Sequence, residues 1–231
     1  MRRTLFHLAR RLSNRLFGPE LTHRSAFARA VFGGVAAIIR AFSPAHRRQR
    51  AFERANPDAP WLVPDSIPAI EALLARGQRA FEWGAGRSTL WLARQGVKVT
   101  SIEGRPAWHE EVRRRVLAAG LGDRVELKLV EVERDYHVPA ATIERYAGAI
   151  DAQPDRSLDL VLVDGHFRAP CVARALPKLK PGGHLVIDNA DIADLAESIA
   201  KLAPWRVGLY DNGVWQTMVF RAPPGGFSAP G

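Results

Sequence analysis

The sequence predicts an α/β fold: a doubly wound, mostly parallel seven-stranded sheet with a C-terminal antiparallel β-hairpin, plus a basic helical N-terminal extension. Three observations predict it. Short apolar segments alternate with helix-like segments five times between residues 80 and 202. Asp211-Asn212-Gly213 separates two further β-rich segments, which is a strong hairpin signal. Residues 1–50 hold eleven arginines and one acidic residue, whereas residues 51–231 have 22 basic and 23 acidic residues.

The individual elements follow from hydrophobic spacing and from turn residues. Ile67, Ile70, Leu73 and Leu74 recur at helical spacing, and Pro106 suits the first turn of a helix. In chain order we predict helix Pro64–Arg76, strand Ala80–Trp83, helix Ser88–Gln95, strand Val97–Glu103, helix Pro106–Ala119, strand Val125–Val130, a loop with a short helical piece over Glu131–Gln153, strand Leu160–Val163, helix Cys171–Leu179, strand His184–Ile187 after the turn Pro181-Gly182-Gly183, helix Ile192–Leu202, and hairpin strands Arg206–Tyr210 and Val214–Phe220.

We predict three regions: the extension over residues 1–55, the α/β domain over 56–223 and a flexible tail over 224–231. Only ten uncharged residues separate Arg29 from Arg40, about half of the ~20 that a membrane-spanning helix needs. Three interpretations of residues 1–50 stay open: helices covering the domain, adsorption to anionic lipid, and a targeting segment. Nucleic-acid binding is disfavoured, because few aromatic residues accompany the arginines. A single cysteine, Cys171, suits a reducing compartment, so we expect a cytoplasmic protein, with peripheral membrane contact as an option.

The stretch Phe81-Glu82-Trp83-Gly84-Ala85-Gly86-Arg87-Ser88-Thr89 predicts a strand, a glycine turn and a helix. Gly84 and Gly86 allow a ligand to approach the main chain, and the free N–H groups of the helix attract an anion. Dinucleotide-binding folds require glycine or alanine at the last position of Gly-x-Gly-x-x-Gly, which is occupied here by Thr89. Glu82, if it points inward, repels a phosphate and suits a ligand that carries an ammonium and a sulfonium. The alternative is a turn without any ligand.

Glu103 ends the second predicted strand, nineteen residues after Gly84. A carboxylate at this place can accept hydrogen bonds from a ribose diol, whichever nucleoside is bound. The alternative is a solvated acidic residue in a loop.

The chain resembles the class I S-adenosylmethionine-dependent methyltransferases from about Trp61 to Arg221. The resemblance is carried by the glycine turn, by Glu103, by Leu160–Val163 ending in Asp164, by Leu179-Lys180-Pro181-Gly182-Gly183, and by the closing hairpin. It implies S-adenosylmethionine as cofactor, with Ser88 near its carboxylate and Val130–Val132 bordering the adenine. The implied cofactor-binding residues are Glu82, Gly84, Ala85, Gly86, Ser88, Glu103, Gly104 and Asp164.

Asp164, Asp188 and Asn189 look like the ligand set of the small metal-dependent O-methyltransferases that act on catechol-type substrates. Neighbouring strands lie about 4.8 Å apart, so oxygens at the ends of strands four and five can converge on Mg²⁺. The alternative is that Asp188-Asn189 caps the next helix while Asp164 orders the cofactor loop. Mg²⁺ is therefore one option for a second cofactor.

Asp164 and His166 are the candidate catalytic residues. An imidazole titrates near neutrality, so His166 can remove a proton from an acceptor hydroxyl; the alternative is an exposed loop histidine. Arg168 pairs with an anionic group of the substrate or stacks at the loop surface, and Cys171 is expected to be buried packing.

The predicted function is transfer of a methyl group from S-adenosylmethionine to an oxygen, or less readily a nitrogen, of a small molecule. One alternative is an NAD-linked enzyme on a similar sheet. The other is a cofactor-domain relic tethered to a membrane by its basic tail. The expected partner is a small-molecule methyl acceptor, and no oligomeric state is predicted.

Overall fold

The computed structural model describes residues 43–132 and 138–227. The α-helices are α1 (Pro44–Ala55), α2 (Ser66–Glu71), α3 (Arg87–Arg94), α4 (Pro106–Ala118), α5 (Ala140–Ala147), α6 (Arg168–Ala175) and α7 (Ala196–Leu202). The strands are β1 (Arg79–Trp83), β2 (Lys98–Glu103), β3 (Val125–Leu129), β4 (Leu158–Val163), β5 (Leu179–Asp188), β6 (Arg206–Asp211) and β7 (Gln216–Arg221). Short 3₁₀ turns cover Gly148–Ile150, Leu176–Lys178, Ala193–Leu195 and Ala203–Trp205.

The described strands form one seven-stranded sheet in the order β3-β2-β1-β4-β5-β7-β6. The first five strands in the chain pair in parallel, and β7 pairs antiparallel with both β5 and β6. The predicted fold class of the α/β domain is thereby confirmed, including the closing hairpin. From β1 the chain winds outward to β3 and then returns to β4 on the other side of β1. The carboxyl ends of β1 and β4 therefore flank the point where ligands bind in such sheets.

Apolar side chains cover both faces of the sheet. In β4, Leu160 and Leu162 pack with Trp91 and Leu92 of α3, whereas Val161 and Val163 pack on the opposite face with Tyr146 of α5. This explains why β4 reads as a continuous apolar run, as buried parallel strands do. The two layers of helices hold the sheet between them.

Several predicted boundaries differ from the structure. The helix predicted over Cys171–Leu179 is Arg168–Ala175, and the one predicted over Ile192–Leu202 is Ala196–Leu202. The first predicted helix, Pro64–Arg76, is only the six residues of α2. Strand β5 begins at Leu179, not at His184, and runs through the Pro181-Gly182-Gly183 segment that the sequence predicted as a turn. Its register with β4 shifts between Leu158 and Leu160, and Gly182 has a φ of 77°. The proline and glycines therefore make an irregularity inside the strand, because Gly182 accepts a conformation that other residues avoid.

Contacts divide the chain into two units, Met1–Ala51 and Phe52–Gly231. The helices predicted within residues 1–42 lie outside the described residues, as does the end of the predicted tail over 228–231. Membrane contact through residues 1–50 stays a prediction. Within residues 43–132 and 138–227, no helix is both long enough and apolar enough to cross a bilayer.

Gly84, directly after β1, packs closely against the segment after β4. Its φ is +94°, and a Cβ added to it would lie 2.8 Å from the backbone C and O of Asp164 and from the N of Gly165. A Cβ added to Gly86, by contrast, meets nothing within 4 Å. Gly84 is thus required by the fold itself, whereas the space above Gly86 is open to a ligand.

We expect Gly84→Ala to lower the free energy of unfolding by about 3 kcal/mol or more, because the new Cβ meets backbone and the φ is unfavourable for alanine. Gly86→Ala is the matched control and should change stability by less than about 1 kcal/mol. Urea denaturation of both variants and the unmodified protein measures the difference. Equal losses of stability in the two variants would contradict this account of the turn.

Candidate active site

A chain of hydrogen bonds from the buried side chains of β1, α3 and β2 fixes the glycine turn. The Oγ1 hydroxyl of Thr89 donates to Glu82 Oε2 at 2.5 Å and accepts from the Gly86 N–H at 2.9 Å. Ser101 of β2 donates to the same Glu82 oxygen at 2.5 Å. The threonine that departs from the dinucleotide pattern is therefore the link between the acidic residue of β1 and the backbone of the turn.

The Glu82 side chain lies beneath the turn and is 0% exposed. Burial raises its pKa to about 7, although hydrogen bonds from Ser101, Ser88 and Thr89 pull the pKa down. The hydrogen-bond partners of Glu82 are protein hydroxyls. Direct contact between Glu82 and a positively charged ligand stays a prediction.

Glu103 lies at the carboxyl end of β2 and is buried, with 3% of its surface exposed. The backbone N–H of Arg105 donates to Glu103 Oε1 at 2.8 Å, which fixes the carboxylate at the rim of the sheet. The next residue, Gly104, faces the His166 ring: an added Cβ would lie 2.9 Å from His166 Cδ2 and 3.1 Å from Val132 Cγ2. The predicted nucleoside residues Glu103 and Gly104 and the candidate base His166 thus share one corner of the site.

Tyr146 supports that corner from the core. Its ring packs edge-on against His166 and Phe167, with centroids 5.7 Å away in both cases, and its hydroxyl accepts from the His166 N–H at 3.4 Å. The indole Nε1 of Trp83 donates to the Tyr146 carbonyl at 3.0 Å. The sequence analysis missed Tyr146, because the segment Glu131–Gln153 has weak periodicity.

Asp164, Arg168 and Asn189 form one hydrogen-bonded group at the carboxyl ends of β4 and β5. Arg168 Nη2 donates to Asp164 Oδ1 and to Asn189 Oδ1, at 2.8 Å in each case, and to the Asp164 carbonyl at 3.1 Å. Phe167 and Asn189 have φ values of 50° and 47°. Left-handed non-glycine residues are uncommon and gather at functional sites.

Asp188 is 2% exposed, and its Oδ1 accepts from the Thr217 hydroxyl at 2.5 Å. Thr217 lies opposite Asp188 in the β5–β7 register. Burial raises the pKa of both Asp164 and Asp188, and the negative charge of Asp164 raises the pKa of Asp188 further. The structure therefore brings the three predicted metal ligands to one edge of the sheet, with other protein groups bound to each.

The predicted Mg²⁺ site does not have the form of an open metal site. Within residues 43–132 and 138–227, no group of three His, Cys, Asp or Glu side chains could hold a metal ion. An oxygen of each predicted ligand accepts a hydrogen bond from Arg168 or Thr217.

Cys171 is buried, as expected, and burial raises its pKa.

The raised pKa of Glu82 makes a prediction about stability. A carboxyl group that binds its proton more tightly in the folded state stabilises the fold fully below its ordinary pKa, and this contribution is lost as the pH rises through about 7. Glu82→Gln stays neutral at every pH. Between pH 5 and pH 8, we expect its free energy of unfolding relative to the unmodified protein to rise by roughly 2–3 kcal/mol.

Urea denaturation at the two pH values measures this change. The exposed residue Glu110 provides the control, since Glu110→Gln should show little pH-dependent difference from the unmodified protein. The same pH dependence in Glu82→Gln and the unmodified protein would refute the assignment to Glu82.

Residues 81–190 match the family model described as a methyltransferase domain. This span includes the glycine turn, Glu103, and the group formed by Asp164, Arg168 and Asn189. A search of the curated proteins found no match.

Several solved structures share the fold. A methyltransferase from Geobacter sulfurreducens is similar with a TM-score of 0.52 and 18% identity, covering 82% of this chain and 96% of that chain. A methyltransferase-like protein from Silicibacter pomeroyi has a TM-score of 0.53 and 20% identity, covering 72% and 92%. A SAM-dependent O-methyltransferase from Thermotoga maritima has a TM-score of 0.51 and 17% identity, covering 74% and 70%.

The family match falls on the residues that build the site, and the sheet with its closing hairpin is the fold that the resemblance implied. The match favours a methyltransferase over an NAD-linked enzyme. Residues 81–190 thus match a methyltransferase domain, and the sheet agrees with the fold of the class I S-adenosylmethionine-dependent methyltransferases.

Proposed function

We propose that the enzyme transfers the methyl group to an oxygen of a small molecule. The observation that carries this proposal is the carboxyl group of Asp164, which follows β4 next to the glycine turn, with Asp188 at the end of the neighbouring strand β5. Burial raises the pKa of both, and a carboxylate with a raised pKa is a stronger base toward an acceptor hydroxyl. The similar Thermotoga maritima protein is named an O-methyltransferase, which agrees with this proposal.

S-adenosylmethionine, when bound, supplies a methyl group that is activated by a sulfonium. The open space above Gly86 suits its methionine part, and the fixed carboxylate of Glu103 suits its ribose. Ala85, Ser88 and Gly104 are the remaining backbone and helix positions around this proposed site. Glu82 holds the turn in shape through Thr89.

Asp164 and His166 are the groups proposed to take a proton from the acceptor. Asp164 lies next to the turn, and its side chain is 21% exposed, which leaves an edge accessible. His166 lies against Gly104, on the β2 side of the site. We favour Asp164 as the base, because its position beside Asn189 is on the side of the site away from the proposed nucleoside corner.

We expect Glu103→Gln to weaken S-adenosylmethionine binding about 10–100-fold, since hydrogen bonds to a charged group contribute roughly 1.5–3 kcal/mol. Glu126→Gln on β3 is the matched control: its exposed carboxylate contacts Thr100 and Lys128, and its removal should leave the affinity unchanged. Isothermal titration calorimetry measures both. Equal affinities for the two variants would exclude Glu103 from the cofactor site.

The acceptor atom is tested with methyl-labelled S-adenosylmethionine and a panel of small hydroxyl and amine compounds. We expect the label on oxygen, identified by mass spectrometry and NMR of the product. Asp164→Asn should lower kcat by at least about 100-fold at saturating S-adenosylmethionine. Label found only on nitrogen, carbon or sulfur would overturn the proposed oxygen acceptor.

A further inference from the structure

Arg168 lies among the oxygens that the predicted Mg²⁺ would need. A single nitrogen, Nη2, contacts Asp164 Oδ1 and Asn189 Oδ1 at 2.8 Å each, so the guanidinium bridges the ends of β4 and β5. Mg²⁺ binds its oxygen ligands at about 2.1 Å in near-octahedral geometry. An ion joining these two oxygens would have to approach the same nitrogen closely, against the repulsion between two cations.

Arg168 is held in this position by its surroundings. It is the first residue of α6, directly after the left-handed Phe167, and its side chain is only 17% exposed. Asp164 lies four residues earlier, directly after β4, and its carboxylate pairs with the guanidinium at 2.8 Å. Moving the guanidinium away would leave a partly buried carboxylate without its ion-pair partner, which is costly. The bridge is therefore a built part of the site.

The third predicted ligand is engaged separately. Asp188 Oδ1 accepts from the Thr217 hydroxyl at 2.5 Å, and Thr217 Oγ1 in turn accepts from the Val63 N–H at 3.1 Å. Asp188 is thus tied to the strand opposite it, and its role as a structural acceptor needs no metal ion.

We propose that the Arg168 guanidinium takes the place of the divalent cation, so that this methyltransferase works without a metal. This inference rests on the proposed function, because it concerns the acceptor side of the same site. Arg168 acts as a positioning residue: it joins Asp164 to Asn189 and supplies the positive charge between them. Two consequences follow. The acceptor does not have to chelate an ion through two neighbouring oxygens, and its proton has to leave to a protein group.

The test is a titration of the full chain with Mn²⁺ alone, followed by electron paramagnetic resonance of the free ion. We expect no stoichiometric Mn²⁺ binding to the unmodified protein. Arg168→Gln should gain one equivalent of Mn²⁺, because the oxygens of Asp164 and Asn189 are released. The double variant Arg168→Gln/Asp188→Asn should bind that ion at least tenfold more weakly.

Arg174→Gln is the matched control. Arg174 also lies on α6 and joins two carboxylates, Glu144 and Asp151, but both are largely exposed. This variant should gain no comparable site. Arg168→Lys keeps a positive charge in place and should also gain none.

Two results would overturn the proposal. One is stoichiometric Mn²⁺ binding by the unmodified protein that Asp188→Asn removes; this result is decisive even if Arg168→Gln does not fold. The other is a folded Arg168→Gln variant, with an unchanged melting temperature, that gains no Mn²⁺ site. Calorimetric titration of the same samples with S-adenosylmethionine separates this proposal from the proposed function. If the unmodified protein does not bind S-adenosylmethionine, the proposed function is refuted, whereas the Mn²⁺ result still tests the role of Arg168.

Discussion

The contact on which the site depends is the buried carboxyl of Glu82 and the two hydroxyls that donate to it. It ties together three elements: Glu82 is in β1, Thr89 in α3 and Ser101 in β2. Because Thr89 also accepts from the Gly86 N–H, the same contact shapes the turn that a ligand approaches. A buried acid costs stability when it is ionised, so its presence in the core indicates a constraint on the shape of the turn.

The second constraint is the close packing of the residues that directly follow β1 and β4. Gly84 has backbone atoms of Asp164 and Gly165 where its side chain would be, and a Cβ on Gly165 would lie 2.2 Å from the Tyr146 hydroxyl. The segment after β4 therefore packs between the turn after β1 and helix α5. A shift in one of them moves the others, because packed interiors have little free space.

The sequence was sufficient for the fold and for the identity of most polar groups at the sheet edge, because glycine turns, strand ends and the hairpin leave local signals. The sequence was less informative about which face of the sheet a side chain lies on and which partner it contacts. Phe81 and Trp83 alternate with Glu82, so the strand period alone could have placed Glu82 on the α3 face. The bridge by Arg168 depends on the path of the loop between Asp164 and α6, with its left-handed Phe167, which no local pattern predicts. The pairing of Asp188 with Thr217 depends on the hairpin register, which no local pattern carries.

The chain that follows β3 is fastened at Val132, and helix α5 is fastened at Tyr146. The Val132 N–H donates to the Gly104 carbonyl at 2.9 Å, and the Tyr146 carbonyl accepts from Trp83 at 3.0 Å. Both contacts join the chain that follows β3 to residues at the carboxyl ends of β1 and β2. A substitution at either anchor is therefore transmitted to the edge of the sheet that carries the site.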